Sequence, residues 1–552
     1  MTSDIDKIRK VIELFSKKKF SELEKTMESF GNIDKATNQI LNLYSLSKLL
    51  NINSKKEDYL LAAKYLDKIY SSDTSQKIHL HNLIIASINS NYFGFVERYL
   101  NDEYLRNPYD PRILEGLSKM EYSKSNMKNS SKYFGEYASV MKTNFKAWSS
   151  YLSIASLNGF INQEKYLEFC KKVDDIDLIK TETPINKIKE HKIKLAFISG
   201  DFANHSVSFF LRDILMKINK SKFKLFALSN RPIFTHDETT IELKKYFDQW
   251  EDVFDMDDEK LLSYGRSLNI DILIDLSGYT SFNRVNVVRS RISPIQISWL
   301  GYLNSLGLKN IDYLIADKNL IPENEKKQYL EKIIYMPNIW NSLSKPDNLP
   351  VVKNDNVDFV FGSFNNFNKI SDSTVKVWSK ILNSSKSKLL LKTSSTDDFN
   401  YVKKNMLKKF SKYNVDLDKI NILEKVINFY DHLELYNKID LALDTFPHNG
   451  VTTTFEAVLM GVPVLTMKGT SFSSRCGESI NNNLKLKDLI AKDSEDYINK
   501  AINFAKDKKK LLNKFNGNLL RDKSLKSSLF DTSEFTFNLE KKMVEIYNEI
   551  YK

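Results

Sequence analysis

Apolar positions in the first third of the chain recur every three or four residues, as at Tyr59, Leu60, Ala63, Leu66 and Ile69. That is the period of helices that bury one face, and it predicts helix after helix across residues 1–185. Glycine and proline are scarce there, and short polar breaks such as NPYDP (107–111) separate the helices. Paired helices stacked at a period of about 34 residues would be tetratricopeptide-like. The segment 111–159 has that look without a clean repeat signature, so an ordinary helical bundle stays open beside it. Either arrangement offers a binding or spacer surface and not chemistry.

Near Ile185 the pattern changes. A short β-rich run, Lys194–Ser199, precedes a polar turn and then a helical pattern. The unit returns as FKLFALSN (223–230), DILIDLSGYT (271–280) and PIQISWLGY (294–302). A second series follows the turn-rich stretch 341–350: DFVFGSFNNF, KLLLKTSS, NILEKV, IDLALDTF and VPVLTM. Strands alternating with helices at this spacing imply parallel sheets covered on both faces. The chain therefore reads as α/β, with domains at 190–345 and 346–552 behind an all-α region. The last helix, FTFNLEKKMVEIYNEIYK, is placed to pack back across either domain. Ligands on such sheets sit beyond the carboxyl ends of the strands, so chemistry is sought in the loops that follow them.

Composition narrows the function classes. At 552 residues the chain exceeds a single core, and 42% hydrophobic with 28% charged residues is the make-up of a folded soluble protein. The formal charge of +12 invites nucleic acid, but the lysines are spread along the chain and interleaved with acids. A phosphate-bearing donor or an acidic partner suits that surface equally well. Cys170 and Cys476 lie far apart without metal-ligand spacing, which argues against a disulfide framework and a zinc site. The start is charged and amphipathic, unlike a signal peptide, and no apolar run reaches the roughly 18 residues that span a bilayer. The expectation is a cytoplasmic enzyme that binds neither nucleic acid nor membrane.

Four loops carry candidate chemistry. In 439–467 a buried strand ends at Asp444, a Pro-His-Asn-Gly turn follows, and Val451, Thr452 and Thr453 open a helix. A helix start offers unpaired N–H groups and a positive dipole end, a cradle for a pyrophosphate. Glu456 lies one turn further in, within reach of a ribose. The plainer alternative makes Thr452 a helix cap and Glu456 a solvated first-turn acid. In 360–378 a strand runs into an Asn-rich turn holding Asn366 and Lys369, ahead of Ser371 as a helix cap. Lys369 is either a solvated charge or, after a strand of the same sheet, a contact for the same phosphates. In SGDFANHSVS (199–208) His205 follows the first strand, a candidate general base or orienting group, or else a capping histidine. In 271–307 two strands end at Gly278 and Gly301, each followed by an aromatic residue. Gly278, Tyr279, Thr280 and Tyr302 are read as an acceptor or sugar pocket, and Arg284, Arg289 and Arg291 as a solvated helix face. Asp255-Met256-Asp257 has the spacing of a metal-binding Asp-x-Asp, but it directly precedes a helical pattern, so Asp257 or Asp258 reads as an N-cap and no metal site is expected.

GDFANH, DLSGYT, PIQISWLGY, FGSFNNFNKI and LDTFPHNGVTTTFEAVLMGVPVLTM, in this order and approximate spacing, resemble the catalytic region of the protein O-GlcNAc transferases and the related SPINDLY proteins. The resemblance covers about 190–480, and the helical front is similar in kind to the family's tetratricopeptide region. It implies a GT-B-type pair of Rossmann-like domains, a metal-independent glycosyltransferase that binds its nucleotide sugar mainly through the second domain. His205 matches the active-site histidine proposed as base, and Lys369 the lysine on the donor phosphates. Asn366 stands where the human-type enzyme has glutamine. Thr452 and Thr453 match the pair on the pyrophosphate, Glu456 replaces an aspartate at the ribose, and His432 matches a donor-site histidine.

The departures bear on the base and the sugar. Val451 stands where the uridine enzymes carry histidine, the lysine that helps hold uracil is replaced near Phe429, and an arginine is replaced by Leu435. The segment LDTFPHNGVTTTFEA is closer to the SPINDLY version, whose plant members transfer fucose from GDP-fucose. The bacterial asparagine glucosyltransferases share the fold as well. The first expectation is inverting transfer of N-acetylglucosamine from UDP-GlcNAc to Ser or Thr of a protein or peptide presented by the helical region. GDP-fucose, UDP-glucose to asparagine, and a non-catalytic scaffold stand as alternatives.

Overall fold

The computed structural model describes residues 2–29, 33–51, 53–159, 161–186, 191–353, 356–394 and 399–550. The chain divides into two compact units, Met1–Lys142 and Thr143–Lys552.

The first unit is helical throughout its described residues. Lys56–Ser72 packs against both Asn38–Leu50 and Lys77–Ser90, and Pro111–Ser123 against Met127–Val140. On Lys56–Ser72 the buried stripe is Ala62, Ala63, Tyr65, Leu66, Ile69 and Tyr70. Leu60, placed on that stripe by its spacing, is exposed. The polar break at 107–111 is a helix start: Asp110 accepts from the N–H groups of Arg112 and Ile113, and Pro111 occupies the first turn, where its missing N–H costs nothing. No described helix is long and apolar enough to cross a membrane.

The second unit opens with two helices, Phe145–Asn158 and Gln163–Asp174, followed by two parallel sheets. The first sheet holds β1 (Ile193–Ser199), β2 (Phe223–Ser229), β3 (Gln249–Asp252), β4 (Ile272–Asp275), β5 (Ile295–Ser298), β6 (Tyr313–Ala316) and β7 (Lys332–Tyr335). Its order is β3-β2-β1-β4-β5-β6-β7. The second holds β8 (Val360–Ser363), β9 (Lys388–Lys392), β10 (Ile420–Leu423), β11 (Leu441–Leu443), β12 (Val464–Met467) and β13 (Ile490–Ala491), in the order β10-β9-β8-β11-β12-β13. In each sheet the order of the strands reverses once, between β1 and β4 and between β8 and β11. In doubly wound sheets those reversals open the ligand crevices.

One apolar core runs through both sheets. Phe210 meets Phe455 edge-on at 5.2 Å, and Trp299 stacks on Phe535 at 5.8 Å. The last helix, Thr532–Ile550, lies along Ser206–Lys217, so it returns to the first sheet. Polar bonds also join the halves: Ser479 donates to Asp317 at 2.7 Å, and Arg475 pairs with Glu325 at 2.8 Å.

Two features differ from the reading of the sequence. The division of contacts falls at Lys142, well before residue 185, because the helices Phe145–Asn158 and Gln163–Asp174 join the α/β body. Tyr166 from the latter shares a 2.7 Å hydroxyl bond with Tyr302. The three arginines are not a solvated face. Arg289 is 1% exposed and donates to the carbonyls of Ile176 and Asp177, both at 2.8 Å. Arg284 pairs with Asp258 at 2.7 Å and donates to the carbonyls of Val253, Phe254 and Met256. Arg291 pairs with Asp312. A planar fork of five donors suits carbonyls that no strand satisfies. Asp257 is the N-cap of Asp258–Ser267, accepting from the Lys260 N–H. Arg289→Ala should lower stability by about 3 kcal/mol, through two orphaned carbonyls and a cavity; chemical denaturation reads this directly, and a change within error would show that the anchor is dispensable.

Candidate active site

The four candidate loops follow β1, β4, β8 and β11, the strands that flank the two reversals. His205 sits in the first, as the N-cap of Ser206–Lys217. Its Nδ1 accepts the Val207 N–H at 3.3 Å and lies 3.7 Å from the Asp201 carboxylate. A ring whose Nδ1 accepts a backbone N–H carries its proton on Nε2 when neutral. Burial raises the Asp201 carboxyl above the usual range, against the pull of His205 and Arg231.

The loop after β4 is pinned by Asp275. Its carboxylate accepts from the N–H groups of Ser277 at 3.1 Å and Gly278 at 2.9 Å, and burial raises its pKa to about 6. Gly278 has φ +52, and a Cβ there would come within 2.4 Å of the Tyr302 side chain. The expected pocket of Gly278, Tyr279, Thr280 and Tyr302 is therefore corrected. Tyr279 and Tyr302 are 2% and 6% exposed, packed edge-to-face at 5.5 Å. Their hydroxyls are taken, Tyr279 by the Leu306 carbonyl and Tyr302 by Tyr166. Thr280 closes the turn onto the Ser277 carbonyl at 2.8 Å. The glycine makes room for a ring of the protein itself, not for a ligand.

The second crevice is built from the loops after β8 and β11. Val451 precedes the helix Thr452–Leu459 and makes no side-chain cap bond, as valine must. Thr452 and Thr453 thus occupy the first turn, and the Thr453 hydroxyl donates to Asn365 Oδ1 at 2.9 Å. Lys369 Nζ donates to the Asn449 carbonyl at 3.1 Å. Burial lowers its pKa from the ordinary lysine value, with Asp444 opposing. Asn366 is exposed and caps its own turn by accepting the Asn368 N–H. Glu456 is no solvated acid: it is buried, accepts the Tyr436 hydroxyl at 3.0 Å and lies 3.0 Å from His432 Nε2. The His432 ring borders Phe364 and Phe429.

Three residues here escaped the sequence reading. Asp444, quoted there only as a strand end, is the hub of the loop after β11. It accepts from the N–H groups of Thr445 at 2.9 Å and Gly450 at 2.7 Å and from the Thr466 hydroxyl at 2.7 Å. Asn365 links the loop after β8 to the helix start. His448 has an Nδ1 with no hydrogen-bond partner among the described residues. Burial, with Lys369 adding, pushes its pKa well below the usual histidine value. A polar residue in the turn that follows a strand was the available signal for all three.

Two Rossmann-like domains with polar loops gathered at both reversals define the GT-B class of glycosyltransferase fold. The model of glycosyl transferase family 41 matches residues 165–344 and 348–539, and the chain belongs to that family. It is 30% identical over 375 residues to the probable UDP-N-acetylglucosamine–peptide N-acetylglucosaminyltransferase SPINDLY of Solanum lycopersicum, covering 66% of this chain and 39% of that protein. Identity to the corresponding probable transferase SEC of Arabidopsis thaliana is 25% over 380 residues, covering 65% and 37%. The match thus spans about two fifths of the length of these curated relatives. Among solved structures, an O-GlcNAc transferase mutant of Thermobaculum terrenum superposes with a TM-score of 0.81 over 93% of this chain and 99% of that one, at 23% identity, a likeness of fold.

The Asp444 carboxyl, held out of water, is raised to about 7. Between about pH 4 and neutrality the unfolded carboxyl has released its proton while the folded one keeps it, so folding binds a proton. The stability this group contributes therefore falls as pH rises through that window and then levels. Asp444→Asn keeps an acceptor for the Gly450 N–H and has no such titration. Its melting temperature relative to the unmodified protein should climb across the window, and parallel melting curves would remove the assignment.

Proposed function

We propose that the chain transfers a sugar from a nucleotide donor to Ser or Thr hydroxyls of polypeptides with inversion, the first reading being N-acetylglucosamine from UDP-GlcNAc. The observation that carries it is the gathering at the second crevice of the Lys369 ammonium, the uncapped helix start at Thr452 and the Asn365–Thr453 bond. A cation and fixed dipoles aimed at one place stabilise the charge that builds on a departing diphosphate, so this reading needs no metal. Asn366 adds amide donors at the same turn. Glu456, using part of its lone-pair capacity on His432 and Tyr436, keeps the rest for a ribose. At the first crevice His205 orients the acceptor, directly or through water. Its Nε2–H tautomer suits donating a hydrogen bond better than taking a proton. The helical unit presents the acceptor, and the sugar nucleotide places the reaction in the cytoplasm.

A second reading is fucosyl transfer from GDP-fucose. Phe429, Leu435 and Val451 in place of the polar groups of the uridine enzymes favour it, as does higher identity to SPINDLY than to SEC. A thermal-shift panel of UDP, GDP, UDP-GlcNAc, UDP-glucose and GDP-fucose, with and without magnesium, separates the readings, because a ligand bound only by the native state must raise the melting temperature. A magnesium-independent shift with the UDP series supports the first reading, and a shift with GDP and GDP-fucose alone replaces it by the second. Silence across the panel overturns both. Lys369→Ala should cut turnover by roughly 100- to 1000-fold with the fold retained. Near-normal turnover in that variant would remove Lys369 from the mechanism.

A further inference from the structure

Three large apolar side chains stand exposed around the loop that carries His205: Phe282 at 50%, Ile233 at 60% and Phe234 at 66%. Single exposed apolar residues are ordinary. These are built in. Phe282 is held at φ +54, a left-handed conformation unfavourable for a bulky side chain and relaxed for glycine. Asn230 Nδ2 donates to its carbonyl at 2.7 Å, and Asn230 Oδ1 in turn accepts from Arg284 Nε at 2.9 Å. The five bonds of Arg284 thus anchor the segment behind the ring. Phe254 meets that ring edge-on at 6.2 Å. On the other side lies Gly200, the residue before Asp201, where a Cβ would come 2.4 Å from the Phe282 Cβ. Arg231 donates to the Thr235 carbonyl at 3.3 Å and to the Gly200 carbonyl at 3.5 Å, tying the turn that holds Ile233 and Phe234 to the start of the His205 loop.

We propose that Phe282, with Ile233 and Phe234, forms an apolar lip beside His205 that receives a bulky aliphatic or aromatic side chain of the acceptor polypeptide, adjacent to the residue that takes the sugar. The proposal rests on the function proposed above and names the acceptor class for it. The lip belongs to the first crevice, whereas the groups suited to the donor phosphates belong to the second. It is continuous with the His205 loop through Gly200, so a neighbouring acceptor side chain reaches it while the acceptor hydroxyl reaches the histidine. Because the backbone that carries the ring is already held, seating a side chain on it orders little of the chain that was mobile.

The test uses the full chain and alanine-rich peptides with one Ser or Thr, varied at each flanking position among Ala, Leu, Val, Phe, Lys and Glu. Transfer is followed by intact mass with the donor that the thermal-shift panel selects. Peptides with a bulky apolar flank should be favoured over alanine by about tenfold in kcat/KM, carried by KM. Phe282→Ala and Phe282→Gly should each erase that preference. The glycine variant relaxes the backbone, so an unchanged or raised melting temperature separates a lost contact from a lost fold. A preference that survives in both variants, or a change in donor KM in place of peptide KM, overturns the lip. Donor hydrolysis by the unmodified protein is measured alongside. Hydrolysis without any flank preference sinks the lip alone, and the absence of both hydrolysis and transfer sinks the underlying function with it.

Discussion

A carboxylate taken out of water has to be met by donors on every side, and the second crevice is arranged around that demand at Asp444. Two backbone N–H groups and a threonine hydroxyl converge on it from the loop after β11 and from β12. Satisfying Asp444 closes the turn and brings Gly450 tight against Asn365 and Thr453, where a Cβ would fall within 2.7 Å of both. The helix that begins at Thr452 then has no freedom in where its first turn lies. The same turn presents the Asn449 carbonyl to Lys369. Asn449 is itself held by the Thr445 carbonyl and by the Gly477 N–H. Burial works against both charges, raising Asp444 and lowering Lys369, while each eases the other. An ammonium held this way has more to gain from an arriving anion than a solvated lysine would.

The first sheet repeats the device with a different result. Asp275 ends β4, the strand beside β1 across the reversal, as Asp444 follows β11, the strand beside β8. Each carboxylate takes two backbone N–H groups of the turn that follows it. After Asp275, however, the turn is filled by Tyr302 and sealed by a tyrosine hydroxyl pair, whereas after Asp444 it leads into a helix whose N-cap residue supplies no side-chain acceptor. One constraint thus yields a closed turn in one domain and an open helix start in the other. That asymmetry supports placing the phosphates at the second sheet and the acceptor at the first.

What could be read from the sequence follows from how local each signal is. The strands announce themselves because both faces are buried, so their apolar runs are unbroken. The loops after β1, β8 and β11 could be singled out because a polar turn after such a run has few other uses. The tyrosines could not be placed, since their burial depends on Tyr166, more than a hundred residues upstream and in a region of another pattern. The arginines misled for a related reason. Arg289 and Arg284 are held largely by backbone carbonyls, which every residue carries and no sequence marks, and Arg284 and Arg291 pair with Asp258 and Asp312, acids distant in the chain. His205 shows the limit from the other side: capping and active-site readings look like alternatives in the sequence, while its ring caps the helix through Nδ1 and leaves Nε2 out of the cap.

The same logic bears on the base of the donor. Glu456 is tied back by His432 and Tyr436, and His432 is walled by Phe364 and Phe429. On the proposed reading, a base entering this corner meets ring faces, with Phe429 and Leu435 where polar readers stand in the uridine enzymes. Stacking accepts any base with a π face, whereas a site built to hydrogen-bond one base edge leaves its own groups unpaired against another and rejects it strongly. Side chains in this corner therefore favour binding a base over identifying it. Discrimination between uracil and guanine then falls to the width of the corner and to backbone groups at its rim. The ribose and diphosphate contacts proposed above would be common to both donors and could not make that choice.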